Sequence, residues 1–474
     1  MSLATRAKFL SEADMQKIHE ASLYLLENKG VIFKAPEAVE LFKQHGARVD
    51  GELVYIPKSL VEECLKLVPS EFRVEAINPE RSITIGGESL IIHPAGGEVF
   101  IKEANGNRKP ETTIEDFANL QKIYQACDNI DMAGYQPLSP ADVPQDTRGL
   151  HCLYQSMLYS DKPWLAPMDY QSGMYKLREI KMYEIVFGKE FVDSHHVTWS
   201  IVTPESPMIY SQFSCESIME FAAANQPITL VSAPMSGITA PIHTVGIMVQ
   251  ANTEVLAGLC LAQLVKPGIP VLPSASLTYG NMMYATWECA SPDTALMLGG
   301  AVQMYKDFYH LPARAQTGVT SSKCVDYQAG FETMQSLLLT AMMGVNVTSQ
   351  SAGSLENLMT VSFEKTLIDD EVIERVRKIK GGLDVNDETL SVDIIMDVDH
   401  GCDYLIHDST LDHMYDGWQP TISDWNNYEK WSALPQPDIE KRAAIKVREI
   451  IRNAPVLLSE PLQKDLKNYI ASCS

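Results

Sequence analysis

The sequence predicts an α/β barrel with a small α+β cap in front of it and a helical extension behind it. Three observations carry that reading. From Thr113 onward, short apolar strands alternate with helical stretches. The strands are near-continuous apolar runs, as in a parallel sheet covered on both faces. Each strand then dissolves into Ser, Thr, Gln, Gly or aromatic residues, the composition of loops that face a ligand at the carboxyl ends of barrel strands.

The elements follow in order. Ile18, Leu23, Leu25 and Leu26 recur at helical spacing between Ser11 and Lys29, and Ser11 with Asp14 fits a capping box. Two more helices are expected over 35–45 and 58–67. The stretch "FRVEAINPERSITIGGESLIIHPAGGEVFI" alternates apolar and polar residues around NP and GG turns, which reads as hairpins. Residues 1–112 therefore form the expected cap. Strands are expected at 131–136, 164–169, 197–202, 228–233, 271–276, 313–317 and 345–350. Helices over 214–224, 253–264, 294–308 and 327–343 lie between them. An eighth strand comes from 394–398 or 403–406. The barrel spans 113–410, and 411–474 is the C-terminal extension. Its helix, 439–451, packs outside the barrel or onto a neighbouring subunit. An open doubly wound sheet is the alternative, weakened because no G-x-G-x-x-G follows the first strand.

The chain has 474 residues and a formal net charge of −23, which argues against a nucleic-acid partner. Nine scattered Cys without a C-x-x-C read as reduced thiols. The N-terminus lacks a signal-type apolar region, and no apolar run has membrane-span length. The expectation is a soluble, cytoplasmic protein without a membrane partner. The apolar first helix and the Trp-rich tail suggest a homo-oligomer.

The strand ends lack metal-ligand spacing, a P-loop and an obvious carboxylate pair. No metal is expected, and no catalytic residue stands out. What they offer suits an organic ligand held by shape, hydrogen bonds and rings. Tyr135, Tyr170, Trp199 and Tyr279 sit near strand ends and could face a quaternary ammonium through cation–π attraction. Each could equally be core packing. Arg314 could clamp a carboxylate or form an interior ion pair. Gln316, Gln350 and His407 are further candidate polar contacts, although a buried structural histidine is a competing reading of His407. His93 reads as a hairpin residue of the cap. The small residues Ser232 to Gly237, in "TLVSAPMSGITAPIHTVG", would leave room at the mouth. "DVDHGCD" is close to the D-x-H-x-x-G signature of cobalamin-binding domains, but its spacing is wrong.

Several longer stretches resemble the trimethylamine methyltransferase superfamily. They are "APMSGITAPIHTVGIMVQANTEVLAGLCLAQLVKPGIPVLPSAS", "DVPQDTRGLHCLYQSMLYSDKPW", "DYQAGFETMQSLLLTAMMGVNV", "SFEKTLIDDEV" and "GCDYLIHDSTLDHMYDGWQP". The resemblance implies a TIM barrel that moves a methyl group from an amine to the cobalt of a separate corrinoid protein. This chain itself would bind no cofactor. Founding members carry pyrrolysine, whereas this sequence reads as ordinary residues throughout. It is thus similar to the nonpyrrolysine branch, which implies a quaternary amine such as glycine betaine, proline betaine or carnitine as substrate. Such a substrate already carries a neutral tertiary amine as leaving group, so positioning and desolvation matter more than an acid or base. Two other readings stay open at this point. One is a betaine-binding or regulatory protein without turnover. The other is a hydrolase or lyase using a thiol, Cys324 being the best placed.

Overall fold

The computed structural model describes residues 6–102, 108–109, 111–134, 136, 138–165, 174–284, 286–435 and 438–473. Its centre is a six-stranded parallel sheet. The strands run in the order Ile91–Ile92, Val347–Ser349, Arg314–Gln316, Val271–Ala275, Ile228–Ser232 and Ser200–Val202. Every ladder in it is parallel. Two further extended segments lie beyond Ile91–Ile92. The Asp131 amide donates to the Ile92 carbonyl at 3.0 Å, and the Ala133 amide to the Pro163 carbonyl at 3.1 Å. Among the described residues, ladders do not close these eight segments into a ring. Residues 166–169, part of the second expected strand, lie outside the described residues.

The eighth strand is not where the sequence placed it. Residues 392–397 are helical, and 403–406 are irregular with a turn at 405–406. The position beside Val347–Ser349 is taken instead by Ile91–Ile92, from within the expected cap. A two-residue strand flanked by Ser-Leu and His-Pro is too short for apolar alternation to distinguish it from a hairpin arm. The expected boundary at 112 therefore cuts through the sheet. The true cap is smaller. Its hairpin, Glu71–Val74 against Ile83–Gly86, plugs the amino-terminal end of the sheet. There Phe72, Val74, Ile83 and Ile85 pack with Ile201, Val231, Leu272 and Val347 in one apolar cluster.

Helix Glu12–Asn28 starts at the expected capping box, with Ser11 and Asp14 bonded reciprocally. Together with Pro36–Gln44 and Lys58–Leu67 it packs on the long helix Thr244–Val265. That explains why Thr244–Val265 is apolar all round: the sheet lies on one side and the N-terminal helices on the other. Among the described residues it is the one helix long and apolar enough to span a membrane, and it is mostly buried. Gly258 sets its closeness to the sheet. A Cβ there would lie 2.3 Å from the Tyr210 hydroxyl.

Helix Phe363–Gly381 follows the last strands, and helix Ile439–Asn453 packs along it and along Ile114–Ala126. The return of the chain to the body is clamped by Glu371. Its carboxylate accepts the amides of Thr421, Ile422 and Ser423 at 2.6–3.0 Å and bonds Arg375 at 3.0 Å. Burial opposes ionisation of Glu371, but its bonds to Ser423, Ile422 and Arg375 win and hold the carboxyl at about 2.

Candidate active site

A cavity of about 460 Å³ opens at the carboxyl ends of the parallel strands. All six strands or the loops directly after them contribute to its wall, as do Gln136 and Ser139. Its volume is that of a small-ligand site. Ile201, Thr203, Val231, Ala233 and Ser276 line one side. Gly96, Gly97, Gln350, Leu358 and Met359 line the other. Among the described lining residues none is Asp or Glu, and Arg314 carries the formal charge.

Strand register fixes the height of that charge. Arg314 pairs with Ser274, and its Nη1 donates to Ser274 Oγ at 2.7 Å. The guanidinium thus lies across the neighbouring strand at its own level. Gln316 and Ser276 are each two residues further along, roughly 6–7 Å nearer the opening. The cation therefore sits at the floor and the amides above it. His93 follows Ile91–Ile92, and burial together with the Arg314 charge lowers its imidazole to about 3, so it is neutral. Burial raises the Glu98 carboxyl, next to the Gly96–Gly97 wall, to about 8. It too is mostly uncharged at neutral pH, so it adds little negative charge to compete for Arg314.

Gln350 is held in the left-handed region at φ 57°. Its Oε1 accepts from Ser349 Oγ at 2.7 Å, and its Nε2 donates to the Gly96 carbonyl at 3.2 Å. Its amide therefore shapes the wall more than it offers free hydrogen bonds. A strained backbone of this kind costs about 1–3 kcal/mol and is sustained by its surroundings. Here the Gln350 amide donates to the Pro94 carbonyl and the Ser351 amide to the His93 carbonyl, each at 3.2 Å.

The structure brings three of the sequence candidates together, Arg314, Gln316 and Gln350. Tyr135 and Tyr170 lie outside the described residues. The other three are corrected. Trp199 shares the inward face with Ile201 but is one layer deeper, 1% exposed, within the apolar cluster that the Phe72 hairpin seals. Tyr279 lies on strand Tyr279–Asn281, where the chain has turned away from the sheet into a hairpin, and it packs on the main core. His407 caps the short helix Asp408–His413, with Ser409 and Asp397 as its partners, far along the chain from any lining residue. His93 belongs to the end of a sheet strand, not to a cap hairpin. Cys324 is exposed, 3.4 Å from Asp326, and is not among the lining residues.

Sequence reasoning missed Trp287, the aromatic ring that does line the cavity. It stands opposite Gly280 in the hairpin Tyr279–Asn281 with Thr286–Glu288. The signal was the Gly-x-x-x-x-x-x-Trp spacing, an aromatic paired with a residue that has no side chain. Of Ser232 to Gly237, Ala233 alone lines the cavity. Ser232 turns away to Glu254, bonding it at 2.6 Å, and Ser236 accepts the Gly280 amide at 2.9 Å.

Glu254 is the hub behind the wall. Its carboxylate accepts from Ser206, Ser232, the Met208 amide and Gln250, at 2.6–3.1 Å. A larger cavity, about 1100 Å³, lies at the opposite end of the sheet beside Arg6, Lys306 and Asp307. There Arg6 pairs with Glu88 and Asp307, and Lys306 donates to Asn346 and the Gly87 carbonyl.

The family model for trimethylamine methyltransferase (MTTB) matches residues 2–473. The glycine betaine methyltransferase of Desulfitobacterium hafniense (strain Y51) is 32% identical over 473 residues, covering 99% of this chain and 98% of that protein. The trimethylamine methyltransferase MttB of Desulfitobacterium hafniense (strain DSM 10664 / DCB-2) is 30% identical, covering 97% and 92%. The crystal structure of the Methanosarcina barkeri monomethylamine methyltransferase (MtmB) superposes with a TM-score of 0.54 over 100% of this chain and 90% of that one, at 11% identity, a likeness of fold alone. With a family match that spans both the cavity and the scaffold around it, the chain belongs to the trimethylamine methyltransferase (MTTB) family of methyltransferases.

Proposed function

We propose that the chain takes a methyl group from a betaine, a quaternary amine that also carries a carboxylate, and delivers it to a corrinoid held by a separate protein. The observation that carries this reading is Arg314 at the floor of a cavity whose described lining contains no acidic side chain. A buried cation repels a simple ammonium such as protonated trimethylamine. It attracts the carboxylate of a betaine, and its planar fork suits that group. The 32% identical glycine betaine methyltransferase points the same way.

With the carboxylate on Arg314, the ammonium faces upward. Trp287 offers it a ring, and Ile201, Val231 and Met359 enclose its methyls. The lining excludes water and fixes the direction of the outgoing methyl. No proton has to be supplied, since the departing tertiary amine is neutral. The corrinoid, in its Co(I) state, supplies the nucleophile from outside the mouth.

The test is an incubation with reduced corrinoid, free or on a carrier protein, and a panel of betaines plus trimethylamine. Loss of the Co(I) spectrum with a betaine and none with trimethylamine supports the reading. Saturable betaine binding without turnover on any carrier would favour a binding or regulatory protein instead.

A further inference from the structure

Between Gln350 and Met359, four residues other than glycine stand in the left-handed region. Gln350 is one. The other three are consecutive: Glu356 at φ 54°, Asn357 at 52° and Leu358 at 68°. Residues with a Cβ visit this region singly, Asn more readily than Glu or Leu, so three in a row make a strained turn. Strain of this kind persists only where the surroundings over-determine it, and it gathers at ligand clamps.

The surroundings here are specific. The turn is the tip of the hairpin Ser354–Leu355 with Thr360–Val361. The Glu356 amide donates to the Ser322 carbonyl and the Asn357 amide to the Thr320 carbonyl, each at 2.8 Å. The Glu356 carboxylate accepts from Thr360 Oγ1 at 2.8 Å and from Arg108 at 3.2 Å. What these bonds place is Leu358. It lines the cavity and joins Cys289 and Val319 in a small apolar cluster, against which Trp287 packs. A second tie runs through Ser321. Its hydroxyl lies 2.9 Å from the carboxylate of Glu288, the neighbour of Trp287, and 3.0 Å from the Asn357 side-chain carbonyl oxygen. The strained turn and the Trp287 hairpin thus meet twice, once through Leu358 and once through Ser321.

We propose that the Glu356–Leu358 turn positions Trp287: it holds Leu358 against the ring and thereby fixes where the ring meets a quaternary ammonium. This rests on the betaine reading of the cavity and adds to it what sets the ring. Trp287 needs such a support, because it stands on a two-stranded hairpin, an element with little stability of its own. A cation is drawn to the face of the ring and not to its positive edge, so orientation decides the attraction. An extended or right-handed turn would aim the three side chains differently, since φ sets the direction of each Cβ.

The test compares two ligands by titration calorimetry on the full-length chain. One is glycine betaine. The other is 3,3-dimethylbutanoate, which has carbon in place of the nitrogen and hence no cation. Both keep the carboxylate, so Arg314 cancels in their affinity ratio, which reads the attraction of the ring for the ammonium. Trp287→Ala should lower that ratio about 10-fold and Leu358→Ala about 5-fold. In the Trp287→Ala background, Leu358→Ala should change it by less than about 2-fold, because the group it acts through is gone. Asn357→Gly accepts positive φ without steric cost but cuts the link to Ser321. It should lower the ratio about 3-fold while the melting temperature holds or rises. Leu358→Met keeps an apolar side chain of similar volume and should preserve the ratio. An unchanged ratio in Leu358→Ala, or a loss of the same size that persists without Trp287, would overturn the proposal. An unchanged ratio in Trp287→Ala would overturn it as well, while leaving Arg314 its carboxylate. An unmodified chain that binds neither ligand sinks the betaine reading, and the proposal with it.

Discussion

Arg314 is where the substrate proposal can be tested hardest. Replacing it by Gln removes the charge while keeping a polar side chain beside Ser274. A guanidinium fork gives a carboxylate two charge-assisted hydrogen bonds, about 1.5–3 kcal/mol each. Leaving a buried charge unpaired costs about 3–5 kcal/mol. The glutamine amide can still donate one hydrogen bond to the carboxylate, so the lower end applies. About 3 kcal/mol corresponds to roughly 150-fold weaker binding. Titration calorimetry with glycine betaine and with choline separates the explanations, because choline has the ammonium without the carboxylate. Betaine affinity should fall roughly 150-fold for Arg314→Gln and less for Arg314→Lys, which keeps the charge but not the fork. Choline affinity should stay level or rise, since a repelling cation is gone. An equal loss for both ligands would mean that Arg314 holds the wall together rather than the carboxylate. No loss for betaine would refute the reasoning outright.

Trp287→Ala should lower kcat/KM for the betaine about 10-fold and leave the melting temperature within a few degrees, because the ring lines the cavity at a surface hairpin. Glu254→Ala should destabilise the fold by roughly 3–5 kcal/mol in urea denaturation, since four donors lose one buried acceptor. Glu371 predicts acid sensitivity. Its carboxyl is held at about 2 against a usual 4.5, so its contribution is complete above about pH 4.5 and is lost as pH falls towards 2. That drop corresponds to roughly 3 kcal/mol. The stability gap between the unmodified chain and Glu371→Gln should therefore be widest near neutral pH and close on acidification.

Much of the architecture was legible because parallel strands and their helices announce themselves. Strands Ile228–Ser232 and Val271–Ala275 are buried at every position, and their apolar runs stand between long helices. Ile91–Ile92 escaped because two residues carry no period. Its place is decided by a ladder to Val347–Ser349, more than 250 residues away. Among the candidates, Arg314, Gln316 and Gln350 fall on the cavity wall because they sit in or just beyond inward strands. Trp199 was on the right face at the wrong height. Parity tells which way a side chain points. It does not tell how many layers a hairpin from another part of the chain fills beneath the ligand.

The stretches that carry the family resemblance also explain why resemblance reads the fold better than the substrate. In "TEVLAGLCLAQ", Glu254 ties loops behind the wall, Gly258 admits Tyr210, and Gln263 bonds Gly268 and Ile269. In "YSDKPW", the Lys162 ammonium donates to the carbonyls of Tyr124, Cys127 and Ile130 and closes the end of a helix. In "SFEKTLIDDEV", Lys365 and Asp369 form a buried pair at 2.6 Å, Asp370 takes Asn129, and Glu371 clamps the returning tail. None of these side chains is among those lining the cavity. They are scaffold, and relatives that act on different amines can share them without sharing a substrate. Substrate choice must then rest on side chains such as Arg314 and Trp287, which none of those stretches contains. A relative with the same scaffold but a neutral or acidic residue in place of Arg314 should prefer an amine without a carboxylate. Exchanging that one position between two such enzymes, and measuring the ratio of their betaine and simple-amine affinities, would show whether the floor of the cavity sets the preference.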